Sequence, residues 1–194
     1  MKSVAVSPDG RLVAAGGCAP GAAQDVGEGH LECSAGVIAI WDASKSGGGA
    51  AGVPRLLRGH PDFVRALGFS PDGASLVSGG GDGRVLRWNL KDGSHQLLGQ
   101  HDNEIMSLAF TGDGRSIAWA TFYGEVVVFD TTRSKPLVVQ VKRTEANSSL
   151  PIAVNSVAFS PDCSLLASAS QQRRLTGAHV EETESRAAMG LGFW

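Results

Sequence analysis

His60, Ser78, Asp82 and Trp88 fall within one stretch that runs from Gly59 to Gly93. A hydroxyl, an imidazole and a carboxylate are the parts of an acyl-transfer triad, in which the base takes the hydroxyl proton and the acid orients the base. With an indole N–H added, the same groups can instead satisfy one another inside a fold. Each is costly to bury alone, and each can supply what another lacks. A buried Ser78 serves the fold; an exposed one could meet a substrate.

Other residues with chemical potential are less organised. The run Gly79-Gly80-Gly81-Asp82-Gly83 looks like a phosphate loop, but no helix or lysine follows it, so it reads as a turn. Between Gly16 and Gly36 stand Cys18, Asp25, Glu28, His30, Glu32 and Cys33. They could be imagined as a metal site, yet no Cys-x-x-Cys pair is present, and the Gly- and Ala-rich context reads as a solvated loop. His30, His95 and His179 are expected in loops or the tail. Nothing converges as a catalytic centre would, so the chain reads as non-catalytic and without a cofactor.

The elements that must position the four residues are short strands. Val64 to Phe69, Ser75 to Ser78 and Arg84 to Leu90 are separated by Pro71-Asp72-Gly73 and Gly81-Asp82-Gly83. Asp-Gly between strand-like runs is a strong hairpin signal, because glycine accepts positive φ at no steric cost. The turn returns through the chain: Ser7-Pro8-Asp9-Gly10, Ser70-Pro71-Asp72-Gly73, Thr111-Gly112-Asp113-Gly114 and Ser160-Pro161-Asp162-Cys163. A period of about 40–45 residues with Trp-Asp strand ends is the signature of propeller blades.

These features resemble the WD-repeat β-propeller family. The second repeat matches most fully, from Gly59-His60 through Ser78 and Asp82 to Trp88, with Asn89 where the family has its closing aspartate. The resemblance implies an all-β fold, a partial WD-repeat propeller of about three and a half blades, each a four-stranded antiparallel meander. It implies that His60, Ser78, Asp82 and Trp88 form a buried structural tetrad, and it gives His101 the blade-opening place in the third repeat. There Trp119, Tyr123 and Phe129 replace Ser, Asp and Trp, so the expectation is hydrophobic packing without a tetrad.

The expected blades lie near residues 3–57, 59–98, 100–143 and 150–170, making one partial propeller over 1–170. Residues 171–194 lack alternation and read as an irregular tail with one or two weak helical turns at most near Glu181 to Met189. The tail is either genuine or a truncated or frameshifted end, and the missing strands imply part of a larger ring. Open blade edges make self-association an expected behaviour.

The family's implied function is a protein–protein interaction scaffold that binds other proteins or peptides on the top face of the propeller. The contact places flank the first inner-strand residue or precede the hairpin turn. Here they are Lys2, Phe63, Arg65, Glu104, Met106, Phe122 and Asn155. Alternation supports the assignment, since neighbours of an inward Val64 point the other way. The alternative is the regulatory or sensor portion of a larger signalling enzyme, a kinase or nucleotide-binding ATPase.

Net charge is −2, with no basic aromatic stripe, so no nucleic-acid footprint is expected. No stretch reaches the apolar length of a membrane span, and the N-terminus lacks the apolar core of a signal peptide. The 3 cysteines, an odd count, suggest no disulfide framework and a reducing cytoplasm.

Overall fold

The computed structural model describes residues 1–27, 31–45, 52–133, 135–140, 152–176 and 179–190. Two compact units divide the chain, Met1–Ile105 and Met106–Trp194.

The first unit holds two four-stranded antiparallel sheets. One comprises β1 (Ser3–Val6), β2 (Leu12–Cys18), β5 (Gly36–Asp42) and β6 (Arg55–Arg58), with a small hairpin of β3 (Ala23–Asp25) and β4 (Leu31–Cys33) inserted between β2 and β5. The next is the meander β7 (Val64–Phe69), β8 (Ser75–Gly80), β9 (Arg84–Asn89) and β10 (His95–Gln100). β7 packs against β1 and β2. One core cluster joins the two sheets, with Ala14, Ile38, Ile40 and Leu57 from the first and Val64, Leu76, Leu86 and Trp88 from the second. Each aliphatic side chain of that size stabilises by about 1.5–3 kcal/mol when fully buried.

The second unit repeats the plan. Its four-stranded sheet is β11 (Ile105–Phe110), β12 (Ser116–Thr121), β13 (Glu125–Asp130) and β14 (Lys135–Gln140). A three-stranded sheet follows, β15 (Ile152–Phe159), β16 (Leu165–Thr176) and β17 (His179–Gly190). β15 packs on β12, and the Val157 amide donates to Ser107 Oγ at 3.2 Å. The chain is thus nearly all β, built of antiparallel meanders of the kind found in a partial WD propeller.

The recurring turn has one architecture in all four places. Its Ser or Thr hydroxyl accepts the amide of the strand that follows, as in Leu12 to Ser7 at 2.8 Å, Ser75 to Ser70 at 2.9 Å, Ser116 to Thr111 at 2.9 Å and Leu165 to Ser160 at 2.9 Å. The aspartate two residues on accepts the amide two residues beyond itself, at Arg11, Ala74, Arg115 and Ser164. The next residue takes left-handed φ: 72° at Gly10, 67° at Gly73, 70° at Gly114 and 61° at Cys163. Cys163 is the non-glycine residue with positive φ among those described.

Three expectations need correction. The segment expected to be an irregular tail continues β16 to Thr176 and returns as β17. In this register Arg173 stands opposite Glu182, Arg174 opposite Glu181 and Leu175 opposite Val180. His179 therefore opens a strand.

The Gly16–Gly36 insertion is not a plain loop. It carries the β3–β4 hairpin and a Cys18–Cys33 disulfide with Cα atoms 5.8 Å apart. The premise that the cysteines stay unpaired fails, because the hairpin turns the chain back and brings two distant residues together. Cys163 is the free thiol among the described residues. Finally, His95 begins β10 rather than lying in a loop.

Several expectations fall on residues outside those described. They are Glu28 and His30 of the insertion, the end of the third blade at 141–143 and the start of the fourth at 150–151.

Candidate functional site

The four chemical residues meet inside the second sheet. Trp88, on β9, donates its indole N–H to Ser78 Oγ on β8 at 2.8 Å. Ser78 Oγ lies 2.7 Å from His60 Nε2, and His60 Nδ1 lies 3.0 and 3.1 Å from the two carboxylate oxygens of Asp82. An indole nitrogen can only donate, so Ser78 accepts from Trp88 and passes its own proton toward Nε2. His60 then carries its proton on Nδ1 and donates it to Asp82. The order Ser–His–Asp is that of an acyl-transfer triad, but Ser78 is 0% exposed and His60 4%. A hydroxyl already accepting from an indole and closed to solvent cannot reach a substrate, so the network holds the blade together.

Local sequence forces this assembly. Asp82 sits in the tight turn between β8 and β9, where Gly83 supplies φ of 74°. A Cβ at Gly80 would stand 2.1 Å from Asp82 Oδ1 and 2.5 Å from His60 Nδ1, so the network requires glycine there. A Cβ at Gly59 would meet the Trp88 ring at 2.9 Å. His95 was missed in the sequence: its ring lies 4.6 Å from that of Trp88, centre to centre. The register pairing His95 with Trp88 was the available signal. In the third sheet Trp119, Tyr123 and Phe129 stand where the second has Ser78, Asp82 and Trp88. Trp119 and Phe129 are buried with ring centres 6.0 Å apart.

Of the residues expected to meet a partner, Lys2, Phe63, Arg65 and Glu104 belong to the first unit. Arg65 Nη2 donates to Glu104 Oε1 at 2.9 Å, and Lys2 Nζ lies 5.3 Å from the centre of the Phe63 ring. Lys2 is exposed, and Arg65 and Glu104 are half-buried. Phe63, expected to project outward, is only 7% exposed. It precedes the first ladder residue of β7, so strand alternation does not govern it. It lines a cleft of about 350 Å³ with Leu31, Glu32 and Cys33 of β4 and with Asp62, Arg65 and Glu104.

Met106, Phe122 and Asn155 belong to the second unit. Met106 and Phe122 are half-buried, Asn155 is exposed, and the Phe122 ring stands 5.4 Å from that of Tyr123. One feature recurs in both units. The β7–β8 register slips between Val64 and Ala66, leaving Arg65 as the extra residue of a β-bulge. The β15–β16 register slips between Val154 and Ser156, leaving Asn155 in the same position.

Four-stranded antiparallel meanders, repeated with one turn chemistry and joined through their first strands within each unit, are the blades of a β-propeller. Two regions match WD repeats: the family model described as "WD domain, G-beta repeat" covers residues 53–89 and 141–175. Protein groucho of Drosophila melanogaster is 35% identical over 99 residues, 49% of this chain and 13% of that protein. Coronin-7 of Rattus norvegicus is 36% identical over 87 residues, 44% of this chain and 9% of that protein. The chain therefore spans a small part of the length of these relatives. WD repeats generally mediate protein–protein interaction.

Proposed function

We propose that the chain is a non-catalytic interaction scaffold that receives other proteins or peptides on the blade face presenting the residues beside the first inner strand. The observation that carries this reading is the pair of bulges at Arg65 and Asn155. A bulge leaves one residue outside the ladder and re-aims its side chain, and such devices sit where a fold presents side chains for use. The same device at the same place in two blades serves presentation better than packing. Arg, Met and aromatic residues, as at Arg65, Met106 and Phe122, are the types enriched at interface centres.

We also propose the cytoplasm as its location. There a disulfide such as Cys18–Cys33 would be transient or redox-sensing.

The test begins by identifying a bound protein through crosslinking. Arg65→Ala, Met106→Ala and Asn155→Ala are then each expected to weaken that binding by about tenfold, roughly 1.4 kcal/mol, with the melting temperature unchanged. Binding that survives in the triple variant overturns the assignment of this face.

A further inference from the structure

We propose that the first sheet, through its face turned away from the second, docks on the fourth sheet of another copy of this chain. That face carries Val4 and Val6 on β1, Val13 on β2 and Trp41 on β5. Val6 pairs with Val13, and Val13 with Trp41. Directly paired residues project from the same side of a sheet, so these side chains form one row. Ala5, between the two valines, points the other way and packs on the core shared with the second sheet.

Position by position, the row repeats one that is covered elsewhere. Counted from the Ser or Thr of the recurring turn, Val6 matches Phe69 and Phe159, and Val4 matches Leu67 and Val157. Register extends the match. Phe69 pairs with Leu76, and Leu76 with Trp88, so Val13 and Trp41 stand where Leu76 and Trp88 do. The second sheet buries its row against Ala14, Ile38 and Ile40 of the first, leaving Phe69 8%, Leu76 0% and Trp88 1% exposed. The fourth sheet buries Val157 and Leu166 against Ala118 and Ala120 of the third. In the first sheet Val4 is 68% and Val6 58% exposed, and Val13 and Trp41 are half-buried. A contiguous apolar row left in water marks an interaction surface.

The occupant is argued from the receiving side. Such a row is received by two small residues of the second strand, seven and nine places past the turn hydroxyl: Ala14 and Gly16 in the first sheet, Ala118 and Ala120 in the third. The approach is close, since a Cβ at Gly16 would stand 2.6 Å from Val64 Cγ1. The fourth sheet has Ala167 and Ala169 at these places. Both are exposed, whereas Leu166 and Ser168, alternating with them, are buried. A second copy therefore brings the surface that the valine row fits, and the contact continues an interface the chain already makes within each unit. Different patches meet, so the contact is heterologous. It uses neither Arg65, Met106 nor Asn155 and is independent of their reading as partner contacts.

Complementation read by sedimentation velocity tests the contact in the full chain. Val4→Glu/Val6→Glu spoils one patch and Ala167→Glu/Ala169→Glu the other. All four side chains are exposed, so the strand signal in circular dichroism is expected to persist. Each variant alone is expected to raise the dissociation constant of self-association at least tenfold. An equal mixture of the two is expected to associate again, because one supplies an intact fourth sheet and the other an intact first. Should glutamate disturb β1, Val4→Thr/Val6→Thr, which keeps shape and strand propensity, takes its place with the same expectation. A parent chain that is monomeric at every concentration overturns the proposal. Variants that associate as the parent does also overturn it, the result that pairing along the β14 or β17 edge would give. So does a mixture no more associated than its components.

Discussion

Removing the Asp82 carboxylate would leave the Nδ1–H of His60 buried without an acceptor, and an orphaned buried donor costs about 1–3 kcal/mol. Asp82→Ala is therefore expected to lower the denaturation midpoint, whereas Asp25→Ala, an exposed change in the insertion, should not. Equal midpoints would dissolve the network argument. Cys163 works in the other direction. A side chain at left-handed φ costs about 1–2 kcal/mol, and glycine's greater freedom in the unfolded chain takes back about 0.4–1 kcal/mol. Cys163→Gly should thus stabilise by about 1 kcal/mol, and a fall in melting temperature would contradict the strain. The neighbouring carboxylate adds a pH signature. Hydrogen bonds from the Ser160 and Ser164 hydroxyls and the Ser164 amide lower the Asp162 pKa from 3.8 to about 2. A lowered folded pKa means a contribution present above about pH 4 and lost as pH falls toward 2. Asp9 and Asp72, whose pKa values are lowered chiefly by Ser7 and Ser70, act in the same sense. Asp162→Asn should flatten the acid limb of a stability–pH curve measured in urea, and a curve unchanged between pH 4 and 2 would refute the assignment.

At the level of elements, what could be read from sequence was what is encoded locally. Ser-Pro-Asp-Gly carries its own hydroxyl acceptor, carboxylate acceptor and left-handed residue, so the four turns and the strands beside them were visible as text. The network was visible because its members keep fixed distances along a meander. The Cys18–Cys33 bond was not, because it depends on how an insertion folds back. Phe63 misled for the same reason: Lys2, whose Nζ lies over its ring, is far away in sequence, while alternation describes only residues within a ladder. The β16–β17 hairpin escaped because its residues lack the apolar alternation that marks a strand, while its backbone pairing is made with a partner strand rather than written locally. Amide exchange should show protection in Leu166–Ser170 from both neighbours, β15 and β17. Free exchange along His179–Gly190 would restore the irregular tail.

For the whole molecule, edges matter most. β14 and β17 end their sheets, and β17 closes a sheet of only three strands. Leu137 on β14 is 59% exposed. Unpaired strand edges with apolar side chains recruit other chains. Sedimentation is expected to show self-association that rises with protein concentration. A monomer at all concentrations, unfolding in one cooperative step, would mean that the edges are satisfied within the chain.

The tryptophan-to-aspartate chain has a practical consequence, since Trp88 can only give a hydrogen and Asp82, when ionised, can only take one. The sequence of bonds therefore has a single direction, and the imidazole between them is locked in one tautomer. Its Nδ1 proton and the indole proton are both shut away from water. In a proton magnetic resonance spectrum each should persist as a separate downfield line, exchanging only when this blade breathes. The second blade thus contains its own unlabelled clock, whose line widths time its opening.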